Sequence, residues 1–267
     1  SVPSMRSIPI RPRRTRGFAG PIPSRQAGSG VEFFGVRSYE PGDPRRWINW
    51  RLSARHPREI FVNDFEQERI ADVGLILDAR ERSNVTVEGR SLFEHAVEAT
   101  AGLAEMFLSD GNRVGLLVYG RGVERTFPGY GKHQEDQILR ALARAEVGGS
   151  LVFDSLDYLP TRSFPAKSQI VLVSPLCEDD PPVLSRIRAR GYEVLVVSPD
   201  PVAFEAERIA AVPLGSTAIR LAHVERGLWI QQLKRLGITV IDWQVQQPLD
   251  VVVRAGLTRS LHPLSRS

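Results

Sequence analysis

One cysteine, Cys177, stands alone in 267 residues. No internal disulfide framework is therefore possible, and cysteine usage neither demands nor excludes an oxidising compartment. No run of about 18 consecutive apolar residues occurs, so nothing in this sequence is expected to span a bilayer as a helix. Residues 1–31 lack Asp and Glu altogether while holding Arg6, Arg11, Arg13, Arg14, Arg16 and Arg25. These arginines exceed the formal net charge of +4, which leaves the remainder close to neutral. A protein that neutralises many phosphates carries its basic face through the folded part, so a nucleic-acid partner is disfavoured. Pro3, Pro9, Pro12, Pro21 and Pro23 forbid a regular helix in the leader, which reads as a solvated, partly extended arm. A signal-peptide pattern is missing from the start. Short basic flanks collect on the cytoplasmic side of membranes, so a cytoplasmic-side location is expected, with any membrane anchorage through an upstream segment outside this sequence.

Catalytic and cofactor signatures are also scarce. A zinc site needs clustered Cys and His, but His56, His95, His133, His223 and His262 are scattered singly and read as structural or surface residues. Gly129-Tyr130-Gly131-Lys132 ends in a phosphate-loop dipeptide without the rest of the cradle, and no G-x-G-x-x-G follows a strand. G-x-S-x-G is absent, and Cys177 has no histidine near it in sequence, so it reads as a small core or loop residue. No catalytic residue, metal ligand or cofactor is assigned. The enzymatic alternative is a hydrolase or transferase whose site assembles across the fold, for example from Asp78 and His95.

What is present is a length and an apolar share of 42% that suit one sizeable core plus an accessory piece. Four segments are expected: a leader over 1–30, a β-rich segment over 31–70, an α/β domain over 71–245 and a tail over 246–267. In the β-rich part, Val31 to Val36 and Glu59 to Val62 flank Pro41-Gly42-Asp43-Pro44, where Pro then Gly suits a type II turn. From residue 71 apolar runs alternate with amphipathic stretches, the pattern of a mostly parallel, Rossmann-type sheet with helices on both faces. Val73 to Leu77, Arg113 to Tyr119, Gln169 to Ser174, Glu193 to Ser198 and Ile238 to Ile241 read as strands, with Val123 to Phe127 as a short edge partner. Ser91 to Glu94 forms a capping box for a helix that Gly111 ends, with Leu92, Phe93, Ala96, Val97, Leu103, Ala104, Phe107 and Leu108 at helical spacing. Ile138, Leu139 and Leu142 mark a second helix, and Pro181-Pro182 opens a third that Gly191 stops. The fourth, over 217–236, is expected to bury Leu221, Val224, Leu228, Trp229, Leu233 and Leu236.

In an open α/β sheet the side chains at the carboxyl ends of the strands converge on the default ligand site. Three such ends stand out: Asp78-Ala79-Arg80-Glu81-Arg82-Ser83, Gly148-Gly149-Ser150, and Ser174-Pro175. In that order they resemble the metal-ion-dependent adhesion site of von Willebrand factor A domains, where D-x-S-x-S is followed by a Thr and then an Asp. Asp78 is kept and Ser150 stands for the Thr, but Arg80 and Arg82 occupy the two Ser positions and Pro175 follows Ser174 where the Asp belongs. A hard divalent cation wants about six oxygen donors and is repelled by guanidinium groups, so Mg²⁺ is disfavoured. Arg80 or Arg82 pairing with Asp78 would replace the charge of the ion. The rim candidates are therefore Asp78, Arg80, Arg82, Ser83, Ser150 and Ser174.

Upstream, Gly28 to Arg55 carries Gly35, Arg37, Pro41-Gly42-Asp43-Pro44, Arg45-Arg46-Trp47, Asn49-Trp50 and Ala54-Arg55 in fixed order, continued by Glu66-Gln67-Glu68-Arg69. This stretch is similar to the hallmark of the domain of unknown function 58 family. With the body like a von Willebrand factor A domain, the resemblance covers most of the chain. It implies an α/β module, often behind membrane helices, acting as a partner or adaptor of a MoxR-type AAA+ ATPase. Read from the residues, Arg37, Asp43, Arg46 and Arg55 can pair under the cover of Trp47 and Trp50 as a structural staple. The alternative is a docking surface, because Trp and Arg are the common interface anchors. The expectation for the whole chain is a non-catalytic protein-interaction or adaptor module, with a divalent-metal-dependent ligand binder as the alternative.

Overall fold

A computed structural model describes residues 32–40, 43, 45, 48–56, 58–66, 71–150 and 152–253. The leader, the Pro41-Gly42 turn, Arg46, Trp47, residues 67–70 and the tail from 254 onward lie outside the described residues. The described residues fall into two compact units, one within residues 16–70 and the other from Ala71 onward.

In the smaller unit, β1 (Glu32–Ser38) and β2 (Phe61–Glu66) pair antiparallel, with Arg37 opposite Val62 and an irregularity between Phe33 and Gly35. The carbonyl of Glu40 accepts a 3.0 Å hydrogen bond from the Asp43 amide, the closing bond of a four-residue turn. A short helix α1 (Trp50–Ser53), absent from the β-rich expectation, starts where the Asn49 side chain accepts from the Leu52 amide at 3.0 Å.

The larger unit opens with β3 (Asp72–Asp78), buried at every position. A tight turn at Glu81–Ser83 and the small hairpin of β4 (Thr86–Val87) and β5 (Arg90–Ser91) lead into α2 (Leu92–Ser109). The Ser91 hydroxyl caps α2 by accepting from the Phe93 amide at 3.2 Å, and Gly111 beyond its end adopts φ 79°. Then follow β6 (Arg113–Tyr119), β7 (Val123–Gly129), α3 (Gly131–Ala143), β8 (Gln169–Val173), α4 (Asp180–Ala189), β9 (Glu193–Pro199), α5 (Pro201–Ala210), α6 (Gly215–Arg235) and β10 (Thr239–Trp243).

These strands build one six-stranded sheet in the order β10-β9-β8-β3-β6-β7. All neighbours are parallel except β7, which runs antiparallel to β6 at one edge. Side chains alternate between two cores. Val73, Leu75 and Leu77 join α2 and α3 on one face, while Ile76 joins α4 and α6 on the other. Both faces are covered, which is why the strands read as continuous apolar runs and not as alternating ones. This is a mixed α/β, Rossmann-like fold. Taken in chain order, the strands run outward in one direction from β3 and in the other from β8, so the order reverses between them. That reversal opens a crevice at their carboxyl ends.

Two expectations need correction. Helix α5 was not foreseen, although Asp200 caps it by accepting from Val202 and Ala203 and Pro201 opens it. Helix α6 buries Leu233 as expected, but it turns Leu221, Val224 and Leu228 to solvent, leaves Leu236 exposed just past its end, and buries Arg226 and Ile230.

Candidate functional site

Asp78 ends β3 at the switch point, and the chain then turns sharply because its carboxylate accepts the Arg80 backbone amide at 3.0 Å. That turn sends the Arg80 side chain back into the rim, where it is among the largest fully buried side chains of the protein. A guanidinium has five N–H donors in a planar fork, and burial requires a partner for each. Nε donates to Asp78 Oδ1 at 2.9 Å, and Nη2 donates to Asp78 Oδ2 and Asp180 Oδ2, both at 2.8 Å. Nη1 donates to Asp180 Oδ1 at 3.0 Å and to the Asp154 carbonyl at 3.1 Å. All five donors are matched, four of them by two carboxylates that are themselves fully buried.

The carboxylates are held from behind. Ser174, just past β8, donates its hydroxyl to Asp78 Oδ2 at 2.6 Å while accepting from the Leu176 amide. Asp180 opens α4, where a negative charge is favoured by the helix dipole, and Oδ2 accepts the Cys177 amide at 2.7 Å. Burial nevertheless pushes the Asp180 carboxyl above the usual carboxylate range, with Arg80 pulling the other way. For Arg80 burial opposes the charge, but the bonds and fields of Asp78 and Asp180 outweigh it and keep the guanidinium protonated. Burial also pushes the nearby Cys177 thiol up to about 11, so it is no ready nucleophile.

The other rim candidates separate by role. Arg82 sits at the partly exposed mouth and pairs with Asp179 and, at 3.3 Å, with Asp154. Ser83 is buried and donates to the Arg80 carbonyl at 3.0 Å, which fixes the turn. Ser150 does not join the cluster; its hydroxyl accepts from the Val152 and Phe153 amides at 3.3 Å and orders its own loop. That loop still touches the rim through its backbone, since the Gly148 amide donates to the Ala79 carbonyl at 3.0 Å. His95 packs edge-on against Phe204 and Trp243, with ring centroids 6.0 and 6.5 Å away, while Asp78 is enclosed by Arg80 and Ser174. The two are not brought together.

Sequence reasoning missed Asp180, Asp179 and Asp154. It also missed a second buried arginine. Arg226 of α6 donates to the Pro175 carbonyl at 2.7 Å, to the Ser198 carbonyl and hydroxyl at 3.2 and 3.0 Å, and to Asp242 at 2.7 Å. Its Nε lies 3.5 Å from Asp200 Oδ1. Arg80 thus ties together the end of β3, the start of α4 and the loop at Asp154, with the end of β8 joined through Ser174 and Asp78, and Arg226 ties together the ends of β8, β9 and β10.

In the smaller unit, Arg37 grips Asp43 with two parallel bonds of 2.8 and 2.7 Å, and Asp43 also accepts the Glu40 amide at 2.8 Å. The Arg37 side of the expected staple is present and holds the turn closed. The shielding role expected of Trp50 is not: its side chain is 67% exposed, and Arg55 is exposed too. Arg46 and Trp47 lie outside the described residues.

The oxygen atoms at the switch point do not fit a divalent cation, because the guanidinium of Arg80 occupies the space between the two carboxylates and engages all four of their oxygens. Among the described residues no group of three or more His, Cys, Asp or Glu is placed to hold a metal ion.

The chain is similar to an uncharacterized protein of Bacillus subtilis (strain 168), YeaD, with 28% identity over 166 residues. That match takes in 61% of this chain and only 39% of the relative's length. Residues 35–208, more than half of the chain, match the family described as Protein of unknown function DUF58, and the chain belongs to that family.

Proposed function

We propose that this chain is a non-catalytic protein-interaction or adaptor module with the architecture of a von Willebrand factor A domain, in which an arginine has replaced the bound ion. The observation that supports this most directly is the complete matching of the Arg80 guanidinium by Asp78, Asp180 and the Asp154 carbonyl. A catalytic acid, base or nucleophile must have a proton or lone pair free to move. At this rim the carboxylates are engaged, the hydroxyl of Ser174 is committed, and the Cys177 thiol holds its proton. What faces outward is the charged mouth formed by Arg82, Asp154 and Asp179, a surface suited to docking.

The partner proposed is a MoxR-type AAA+ ATPase, as the family resemblance implies, and the site of action is the cytoplasmic side of a membrane. Among the described residues no helix is long and apolar enough to cross a bilayer, so anchorage would come from elsewhere. The test is gel filtration of the full chain with a MoxR-type AAA+ ATPase of the same organism, in ATP and in ADP. Co-elution that weakens when Arg82→Glu reverses the charge of the mouth is the expected result. Separate elution in both nucleotide states would remove the basis of the proposal.

A further inference from the structure

Helix α6 carries two apolar stripes, and the domain uses only one of them. Arg226, Ile230 and Leu233 point inward, with Ile219 and Ala222 half-buried on the same side. On the opposite side Leu221, Val224 and Leu228 are 59%, 60% and 59% exposed. A helix whose free face meets only water is polar on that face. Here the exposed residues recur with the spacing of a heptad seam. Leu221 and Leu228 fall at successive a positions and Val224 at the d between them, with Thr217 at the preceding d and Gln231 and Arg235 closing the seam at the next d and a. The inward-facing Ile219, Arg226 and Leu233 all fall at f, the position farthest from such a seam, so the seam points directly away from the domain.

We infer that this seam joins two copies of the chain, with α6 lying parallel to its counterpart across a two-fold axis. The charges beside the seam select both the occupant and the direction. Arg220 stands at g and Glu225 at the e position of the following heptad, the pair of sites that face one another between parallel helices. Two-fold symmetry then makes the pair twice, Arg220 of each copy against Glu225 of the other. Among the described residues neither side chain has an ion-pair partner within the chain; Arg220 makes a 3.3 Å bond to the Thr217 hydroxyl of its own helix. An antiparallel pairing sets g against g and e against e, which would bring the basic Arg220 and Lys234 together and leave Glu225 without a cation. The seam is short, so the affinity expected is modest and the dimer concentration-dependent.

Sedimentation equilibrium of the full chain over a wide concentration range reads the association directly. The expected result is a monomer–dimer equilibrium that Leu221→Glu together with Leu228→Glu abolishes, with no loss of thermal stability at concentrations where the parent is monomeric, because both side chains already face solvent. Arg220→Glu alone is expected to weaken the dimer about tenfold, and adding Glu225→Arg to restore it. In a Cys177→Ser background, Leu228→Cys should cross-link to its own counterpart on mild oxidation, as a parallel a-to-a contact requires. A chain that stays monomeric at every concentration overturns the inference, whatever other protein the seam then holds. So does a dimer indifferent to Leu221→Glu and Leu228→Glu, or a charge exchange that fails to rescue.

Discussion

Replacing Arg80 by methionine removes a charge and five hydrogen-bond donors while keeping an unbranched apolar stem, and leaves Asp78 and Asp180 facing one another in a fully buried space. Five charge-assisted bonds are lost, four of them to carboxylates, but their gross strength overstates the effect, because forming the cluster already cost the desolvation of three ions. The relevant comparison is a buried ion pair deprived of one member, which costs about 3–5 kcal/mol. Domains carry about 5–15 kcal/mol in total, so Arg80→Met should lower the midpoint of thermal unfolding by roughly 10 °C. The penalty should also depend on pH in a definite direction. Burial already raises the Asp180 carboxyl above its usual 3.8, and without the guanidinium nothing of comparable strength opposes that rise. A carboxyl whose folded-state pKa lies above its unfolded value contributes stability below the unfolded value and loses it as pH rises through the folded one. The deficit of Arg80→Met relative to the parent should therefore be largest near pH 8 and shrink as pH falls toward and below 5. Urea denaturation of both proteins at several pH values measures this. A deficit under about 1 kcal/mol at pH 8, or one that grows on acidification, would refute the reasoning.

The Cys177 thiol, at about 11 against an ordinary 9.0, should react with iodoacetamide about a hundredfold more slowly at pH 8 than in urea, and its contribution to stability should be present below pH 9 and lost as pH rises through 11; Cys177→Ala should flatten that alkaline loss. Gly74 lies so close to Phe164 that an added Cβ would stand 2.7 Å from its ring, so Gly74→Ala should cost about 1–3 kcal/mol in urea denaturation, and less than that when introduced into a Phe164→Ala background. Arg226→Met strands the buried Asp200 and the carbonyls of Pro175 and Ser198, and should cost about 3 kcal/mol while speeding amide exchange at the ends of β9 and β10 more than in α2.

The sheet was legible because burial on both faces writes itself as runs such as Val73 to Leu77, and because Ser91 and Gly111 mark the limits of α2 in ways few other residues can. Helix α6 was misread for a physical reason. It has two apolar stripes, and Leu221-Val224-Leu228, the one that no charge interrupts, is the one hydropathy alone assigns to the core. What turns the helix the other way is Arg226, drawn inward by Asp200, Asp242 and the open carbonyls at the ends of β8 and β9. Those partners come from distant parts of the chain, so no local pattern announces them. An arginine interrupting the spacing of Ile219, Ala222, Ile230 and Leu233 was the available signal.

At the rim, Asp78, Arg80 and Ser174 were found from strand ends, and charge alone pointed to Arg80 or Arg82 as the partner of Asp78 without choosing between them; Arg80 is the one that pairs. Asp180 was not, because the acid was sought directly after Ser174. The chain supplies it from the first residue of α4, where a Glu178-Asp179-Asp180-Pro181 run also serves the helix start. Ser150 was placed on the rim by analogy, but its hydroxyl has two amides of its own loop to satisfy. The exposure of Trp50 had no signature at all, since an indole beside arginines reads the same whether it shields them or faces water.

The central claim is that a guanidinium stands where an ion would, between Asp78 and Asp180. Calorimetric titration with Mn²⁺ of the parent, of Arg80→Ser, and of Arg80→Ser combined with Asp78→Ala tests it most directly. The expected result is no saturable binding by the parent, saturable binding once Arg80→Ser clears the space and adds an oxygen donor, and its loss again with Asp78→Ala. Saturable binding of Mn²⁺ by the parent, abolished by Asp78→Ala alone, would contradict the claim.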